Sequence, residues 1–341
     1  MTSWFDIPKP ETTWLIDGLI TSDGHASICG KPKAGKSTFV RNLIASVIKG
    51  QPFIGRATDL PEGTGRVLYI HLDRKDQPWR VANELRHLGI TAEESPRLIF
   101  RTAQDIPGSF EERLKWLQQE TSQHKPCLIV IDLLWQFVVA NNSNDYNAVL
   151  NGINTLQDSL IKIGYKGALL VTLHGRKATN PNEPFDDVLG STGQRGSFST
   201  NIMLTRYRKE GVYTIMSDQT ERDEVYGEIP ETVLRRKTDG TLALNRPFNE
   251  LVKAEKELKA EGSVRKLLAF IGEHPGCNMP EIMDGLNIAK KSALKFLGMA
   301  AGLWYTTGEG EKGDPHRYFL RSSDVDPQAA ATEVIIHDWT H

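Results

Sequence analysis

The sequence predicts an α/β fold with a mostly parallel central sheet, and three observations lead to this prediction. Short apolar stretches between residues 26 and 173 alternate with segments of helical periodicity, as in sheets built from right-handed crossovers. Residues 127–131 are apolar throughout, which is typical of a strand buried on both faces. Polar residues directly follow three of the apolar stretches, at the strand ends where such sheets gather their functional groups.

The predicted elements follow one another in the order of such a fold. Strands are expected at residues 26–29, 67–72, 98–100, 127–131 and 168–173, and helices at residues 40–48, 78–88, 110–119 and 149–160. An apolar segment at residues 13–19 either covers a pocket or packs on the sheet edge, and we favour packing. Residues 202–204 and 212–216 are expected to pair as antiparallel strands.

A glycine-rich loop separates the first strand from the first helix. Residues 30–38 match the pattern G-x-x-x-x-G-K-[ST] of a phosphate-binding loop, in the expected strand–loop–helix context. Backbone N–H groups of such a loop and the helix N-terminus form a concavity for phosphate oxygens. We therefore predict that ATP binds here, with Lys36 at the β- and γ-phosphates and the Ser37 hydroxyl on Mg²⁺. The predicted nucleotide-binding residues are Gly30, Lys31, Pro32, Lys33, Ala34, Gly35, Lys36, Ser37 and Thr38.

Three polar residues end predicted strands. Asp132 is expected to hold Mg²⁺ through water, as a second acidic residue does in phosphate-loop enzymes. Asp73 is either the general base that activates the attacking water or one surface carboxylate in a charged run. His174 is either a sensor of the γ-phosphate or an ordinary strand-end group.

Three arginines are candidates for an arginine finger, a cation that a neighbouring subunit places on the developing charge. They are Arg195, Arg206 and Arg208. Two of them, Arg206 and Arg208, leave a predicted strand on one face, because strand residues two apart point the same way.

The C-terminal part of the chain has a different pattern. Helices at residues 264–272, 279–285 and 290–302, followed by a hairpin, predict a winged helix-turn-helix. Lys290, Lys291 and Lys295 lie on its third helix and suit contacts with DNA phosphates. Glu309 and Glu311 in the hairpin argue against strong DNA binding, so a role in docking a protein stays open.

Length and composition bound the remaining expectations. The 341 residues are divided into an ATPase domain at 1–250, a charged linker at 251–261, the winged helix-turn-helix at 262–321 and a tail at 322–341. A net charge of -2 gives no general attraction to nucleic acid. Three scattered cysteines, no secretory signal and no long apolar stretch predict a cytoplasmic protein without membrane contact.

With these residues placed, the chain resembles the RecA-like ATPases of the RepA type. These are hexameric replicative helicases and related AAA-family P-loop ATPases of plasmids and phages. The resemblance covers about residues 10–245 and leaves the C-terminal segment outside the shared core. The matching segments are residues 13–19, 30–37, 65–73, 128–132, 144–147, 171–177 and 190–192.

The resemblance implies a RecA-like core that forms a ring, with nucleotide between subunits and DNA in the central channel. It assigns Arg176, Lys177 and Arg195 to that channel. Asp73 stands where the family has a catalytic glutamate, and its side chain is one methylene shorter. Gly175 stands where the family tends to have a second histidine. The shorter carboxylate puts fast turnover in doubt, but not nucleotide binding.

Three functions are compatible with the sequence. The leading one is an ATP-hydrolysing hexameric motor on DNA that works with the replication proteins of a mobile element. The second is an ATP-gated DNA-binding or adaptor protein with slow hydrolysis and no unwinding. The third is a recombinase-like filament protein. ATP-dependent strand separation distinguishes the first function from the second, and particle images distinguish rings from filaments.

Overall fold

A computed structural model describes residues 12–60, 65–73, 77–138, 146–175, 185, 196–207, 211–219 and 229–321. The chain divides into two compact units, Met1–Phe248 and Asn249–His341. The predicted domain boundaries stay a prediction, although the first unit ends close to the expected end of the ATPase domain.

The first unit is built on a large sheet that confirms the predicted fold class. The described strands of this unit are β1 (Trp14–Ile16), β2 (Ile20–Thr21), β3 (His25–Gly30), β4 (Val67–His71), β5 (Leu98–Thr102), β6 (Leu128–Asp132), β7 (Ala168–His174), β8 (Thr200–Arg206), β9 (Val212–Gln219), β10 (Thr232–Arg236) and β11 (Leu242–Pro247). The first two, β1 and β2, pair with each other in a separate two-stranded sheet. Within the described ranges the large sheet has nine strands in the order β11-β10-β9-β8-β3-β7-β6-β4-β5. The strands from β8 to β5 are parallel, whereas β9, β10 and β11 extend the sheet in antiparallel fashion.

Helices cover both faces of this sheet. They are α1 (Lys36–Lys49), α2 (Pro78–His87), α3 (Phe110–His124), α4 (Leu134–Val138) and α5 (Tyr146–Lys162). Apolar residues of α1 and α2 pack with one set of strand side chains, and those of α3, α4 and α5 pack with the other. Alternate residues of one strand therefore enter different cores, as Val67 and Leu68 do.

The α3 helix is longer than the predicted 110–119, and it begins at a capping box. The Ser109 hydroxyl accepts the backbone N–H of Glu112, whose side chain accepts the N–H of Ser109. The sequence prediction stopped at Gln119, soon after the last apolar residue, Leu117, but the helix continues through polar residues to His124.

The segment before the phosphate-binding loop packs against the sheet, as favoured from the sequence. Leu15, Ile16, Leu19 and Ile20 are each at most 1% exposed and belong to one core of the sheet. The expected antiparallel pair is also present, with Met203 opposite Met216 in β8 and β9.

The second unit has three helices and a small antiparallel sheet. The elements are α6 (Phe248–Glu273), β12 (Cys277–Asn278), α7 (Met279–Leu286), α8 (Lys290–Met299), β13 (Trp304–Thr307) and β14 (Arg317–Leu320). Leu267, Ile271, Ile282 and Leu297 lie in its core. Residues 251–261, predicted as a charged linker, are helical and belong to α6.

This order of helices and strands is the one that was expected, but assignment to the winged helix-turn-helix class stays a prediction. Across the described parts of both units, every helix is too short or too polar to cross a membrane.

Candidate active site

The loop between β3 and α1 requires glycine at both glycine positions of its pattern. Gly35 has φ of 93°, in the left-handed region, and a Cβ there would lie 2.8 Å from the Tyr213 ring. A Cβ on Gly30 would lie 2.4 Å from the backbone oxygen of Leu204 in β8. The loop is therefore held tightly between α1 and the neighbouring strands.

Lys36 is the first residue of α1, and its side chain folds back over the loop. Its Nζ donates hydrogen bonds to the backbone oxygens of Gly30 at 2.7 Å and Lys31 at 3.2 Å. Burial lowers the pKa of Lys36, while the nearby Cys29, Asp132 and Asp73 raise it. This cation lies where phosphate oxygens would enter the concavity of the loop.

Asp132 ends β6 and is fully buried. Its Oδ1 accepts a hydrogen bond of 2.5 Å from the Thr172 hydroxyl on β7. Its Oδ2 accepts hydrogen bonds of 3.3 Å from the Ser37 hydroxyl and from the Tyr69 hydroxyl. The tertiary structure thus brings together the two residues that the sequence assigned to Mg²⁺, Ser37 and Asp132.

These residues fit Mg²⁺, which prefers carboxylate and hydroxyl oxygens and keeps several of its waters. Ser37 would hold the ion directly and Asp132 through water, as predicted from the sequence. When bound, the ion offsets negative charge on the phosphates.

Asp73 follows β4 and faces a cleft of about 390 Å³ at the carboxyl ends of β4 and β5. The cleft is lined by His71, Leu72, Asp73, Gln77, Pro78, Thr102, Ala103 and Gln104. Asp73 acts on the pKa of both Lys36 and His174, so it lies within electrostatic range of the loop. This position suits a residue that orients water, and the cleft has room for a longer side chain.

His174 ends β7, beside the start of the phosphate-binding loop. Its register partner in the parallel pair is Gly30. Burial lowers the pKa of His174 and the charge of Lys36 lowers it further, against the opposing charges of Asp132 and Asp73, which favours the neutral form of the ring. Its Nδ1 is buried and has no hydrogen-bond partner among the described residues. A neutral ring beside Lys36 is compatible with the predicted sensor role, which stays a prediction.

The family comparison agrees with this geometry. The model of a family described as an AAA domain, AAA_25, matches residues 1–180 of the 341-residue chain. The chain belongs to this family of P-loop ATPases. The family implies nucleotide binding, typically with Mg²⁺. No curated protein matches the chain.

In this AAA domain, the structure adds residues that the sequence reading missed. Tyr69, in the middle of β4, and Thr172, on β7, each donate a hydrogen bond to the Asp132 carboxylate. Arg41 of α1 is 3% exposed and forms an ion pair with Glu84 of α2. Polar groups inside otherwise apolar strands were the available signal for Tyr69 and Thr172. Nothing in the helical pattern marked Arg41 or Glu84.

A second cleft, of about 330 Å³, lies next to the phosphate-binding loop on the side of Tyr213. Its lining residues are Thr38, Asn42, Glu84, His87, Leu88, Gly211, Tyr213, Arg236, Lys237, Thr238 and Gly240. Asn42 fixes the turn between β10 and β11, because its Oδ1 accepts the backbone N–H of Leu242 at 3.0 Å. The cleft therefore has a firm wall next to the phosphate-binding loop.

The remaining predicted site residues lie in other elements or outside the described residues. Arg206 is exposed at the carboxyl end of β8. Arg176, Lys177, Arg195 and Arg208 lie outside the described residues. Lys290, Lys291 and Lys295 are exposed on α8 of the second unit.

Proposed function

We propose that this P-loop ATPase is a ring-forming, RecA-like motor that acts on DNA, as a replicative helicase of a plasmid, phage or other mobile element. The observation that carries the proposal is the cluster of Lys36, Ser37, Asp132, Asp73 and His174 at the carboxyl edge of the sheet. This cluster contains a phosphate-binding loop, a metal-binding pair and a carboxylate for water. ATP hydrolysis needs these three parts together.

In this proposal a neighbouring subunit supplies a further cation to the phosphates. Arg41, the buried arginine near the site, is bound to Glu84 and Tyr69 and so is not directed at the phosphates. Arg206 is exposed at the carboxyl edge, where it can reach an adjacent copy of the chain. Arg208 is the second candidate. A trans-acting cation of this kind makes hydrolysis depend on assembly, as a ring motor requires.

The cleft beside Tyr213 is the proposed place for the nucleobase. The Tyr213 ring contacts the glycine that precedes Lys36, so a base against that ring lies next to the bound phosphates. Arg236 and Lys237 line the same cleft and add positive charge near a triphosphate. These contacts support a nucleobase site next to the phosphate-binding loop.

DNA contacts are assigned to two regions. By the family resemblance, Arg176, Lys177 and Arg195 face DNA in the channel of the ring. Lys290, Lys291 and Lys295 contact phosphates from α8, where they form an exposed face without an acidic residue. Leu294 lies on that face and is 50% exposed, which also suits docking of a replication protein.

A second candidate function is an ATP-gated DNA-binding or adaptor protein with slow hydrolysis and no unwinding. The observation that favours it is the side chain of Asp73, which is one methylene shorter than the glutamate of the RepA-type ATPases that the chain resembles. A recombinase-like filament is the third candidate, with the same site between subunits of an open assembly.

Strand displacement tests the motor directly. We expect the wild-type protein to separate the strands of a forked duplex with ATP, and not with a non-hydrolysable analogue. Electron microscopy of the same samples should show closed rings. ATP-dependent binding to duplex without strand separation would replace the motor by the ATP-gated binding protein, and open filaments would favour the third function.

The lysines of α8 are tested by the salt dependence of duplex binding. We expect replacement of Lys290, Lys291 and Lys295 by alanine to weaken binding and to reduce the log–log salt slope by about 0.9 per lost phosphate contact. The matched control replaces the exposed Lys253, Lys256 and Lys259 of α6 by alanine, which removes the same amount of positive charge. An unchanged slope in the α8 variant would mean that this face docks a protein.

A further inference from the structure

The hydroxyl of Tyr69 has a single proton, and its surroundings direct that proton to Asp132. Arg41 can only donate hydrogen bonds, so its bond to Tyr69 uses a lone pair of the phenol oxygen. The Nδ1 atom of His71 lies 3.2 Å from the same oxygen and uses the other lone pair when it carries hydrogen. The phenol O–H then donates to Asp132 Oδ2 at 3.3 Å.

Packing of the Tyr69 ring and the ion pair of Arg41 fix the position of the Tyr69 hydroxyl. Tyr69 is fully buried, and its ring packs against Phe100 at 5.5 Å between centroids. Arg41 is held by Glu84, so α1 and α2 together fix the position of the guanidinium. The phenol oxygen therefore cannot follow Asp132 if that carboxylate turns.

Tyr69 and Thr172 donate hydrogen bonds to different oxygens of the Asp132 carboxylate. Thr172 donates to Oδ1 and Tyr69 donates to Oδ2, which fixes the rotation of the Asp132 side chain. Ser37 also donates to Oδ2, but its hydroxyl is the group expected to turn toward Mg²⁺. When the Ser37 hydroxyl binds the ion, the hydrogen bonds from Tyr69 and Thr172 still hold the Asp132 carboxylate.

We propose that Tyr69 is a positioning residue for the metal ion: its hydroxyl, oriented by Arg41 and Glu84, sets the Asp132 carboxylate in the direction that binds the hydrated ion. The inference rests on the proposed role of Asp132 at the Mg²⁺ site. Tyr69 itself touches neither nucleotide nor metal. It differs from a merely structural residue because its loss weakens metal binding more than nucleotide binding.

The experiment compares Tyr69→Phe with Tyr165→Phe. Each substitution removes one hydrogen-bonding hydroxyl, from the fully buried Tyr69 or from the partly buried Tyr165. The Tyr165 hydroxyl donates to the Ala168 backbone oxygen at 3.1 Å, at the amino end of β7. Mn²⁺ binding in the presence of ADP is followed by electron paramagnetic resonance, and ADP binding is measured separately in EDTA. Thermal unfolding shows that each variant is folded.

We expect Tyr69→Phe to bind Mn²⁺ about 10-fold or more weakly, as removal of an outer-shell partner does, with ADP affinity in EDTA unchanged. Tyr165→Phe should bind Mn²⁺ like the wild type. Equal Mn²⁺ affinity in Tyr69→Phe and wild type would overturn the positioning role while leaving the ATPase site intact. A wild-type protein that binds no Mn²⁺ with ADP would overturn both the inference and the assignment of Asp132.

Discussion

Replacing Lys36 by alanine should reduce ATP hydrolysis about 100-fold or more, since removing one donor that stabilises developing charge has effects of this size. Lys36 Nζ lies over the phosphate-binding loop, bonded to the backbone oxygens of Gly30 and Lys31. These oxygens lose a buried donor, so the free energy of unfolding should fall by about 1–3 kcal/mol. Steady-state ATPase assays and chemical denaturation measure the two effects.

The matched control is Lys49→Ala, at the other end of the same helix. Lys49 Nζ donates to the backbone oxygen of Leu88 at 3.2 Å, so this variant also loses a lysine hydrogen bond to the backbone. We expect its ATPase activity to be unchanged. Hydrolysis at the wild-type rate by Lys36→Ala would refute the assignment of the phosphate-binding loop.

The same variant shows whether the site spans two subunits. If Arg206 acts in trans, mixing Lys36→Ala with Arg206→Ala protein creates some interfaces with both residues intact, and ATPase activity reappears. The corresponding Arg208→Ala mixture tests the second candidate. Absence of recovery in assemblies shown to be mixed, or full activity of the double Arg206→Ala, Arg208→Ala protein, would exclude a trans finger.

Changing Asp73 to asparagine should reduce turnover about 100-fold or more with nucleotide affinity unchanged. General base catalysis contributes roughly 10²–10⁴-fold, and an amide cannot take the proton. Asp73→Glu should keep or raise turnover, because the adjoining cleft of about 390 Å³ has room for one more methylene. Single-turnover and steady-state ATPase assays separate the chemical step from binding.

Asp59→Asn is the control for this pair, since it removes an exposed carboxylate near β1. It should behave like the wild type. If Asp73→Asn is as active as the wild type, the base lies elsewhere, and His71 is the next residue to test because it lines the same cleft.

The order of the elements could be predicted from local signals. The phosphate-binding loop carries its own pattern, and the strand at residues 127–131 is apolar because both of its faces are covered. Residues that end strands, such as Asp132 and His174, could be singled out because parallel strands share one carboxyl edge. These inferences need only neighbouring residues and the general rules of parallel sheets.

The contacts behind the site could not be predicted in this way. Arg41 and Glu84 are 43 residues apart, and their ion pair depends on how α1 and α2 pack on one face of the sheet. Tyr213 meets the loop glycine only because β9 follows β8 at the antiparallel side of the sheet. The end of α3 was missed because its final turns are polar.

The sequence by itself determined the P-loop fold, the cation of the loop and the two residues suited to Mg²⁺, because a contiguous motif and strand ends carry that information. Only the tertiary structure decided that Asp132 is buried among three hydroxyl donors, one of them the Tyr69 phenol. The physical reason is that hydrogen bonds between adjacent strands depend on register and on facing side chains. In this sheet Tyr69 pairs with Val130 in register, and its side chain still reaches the carboxylate two residues further along β6.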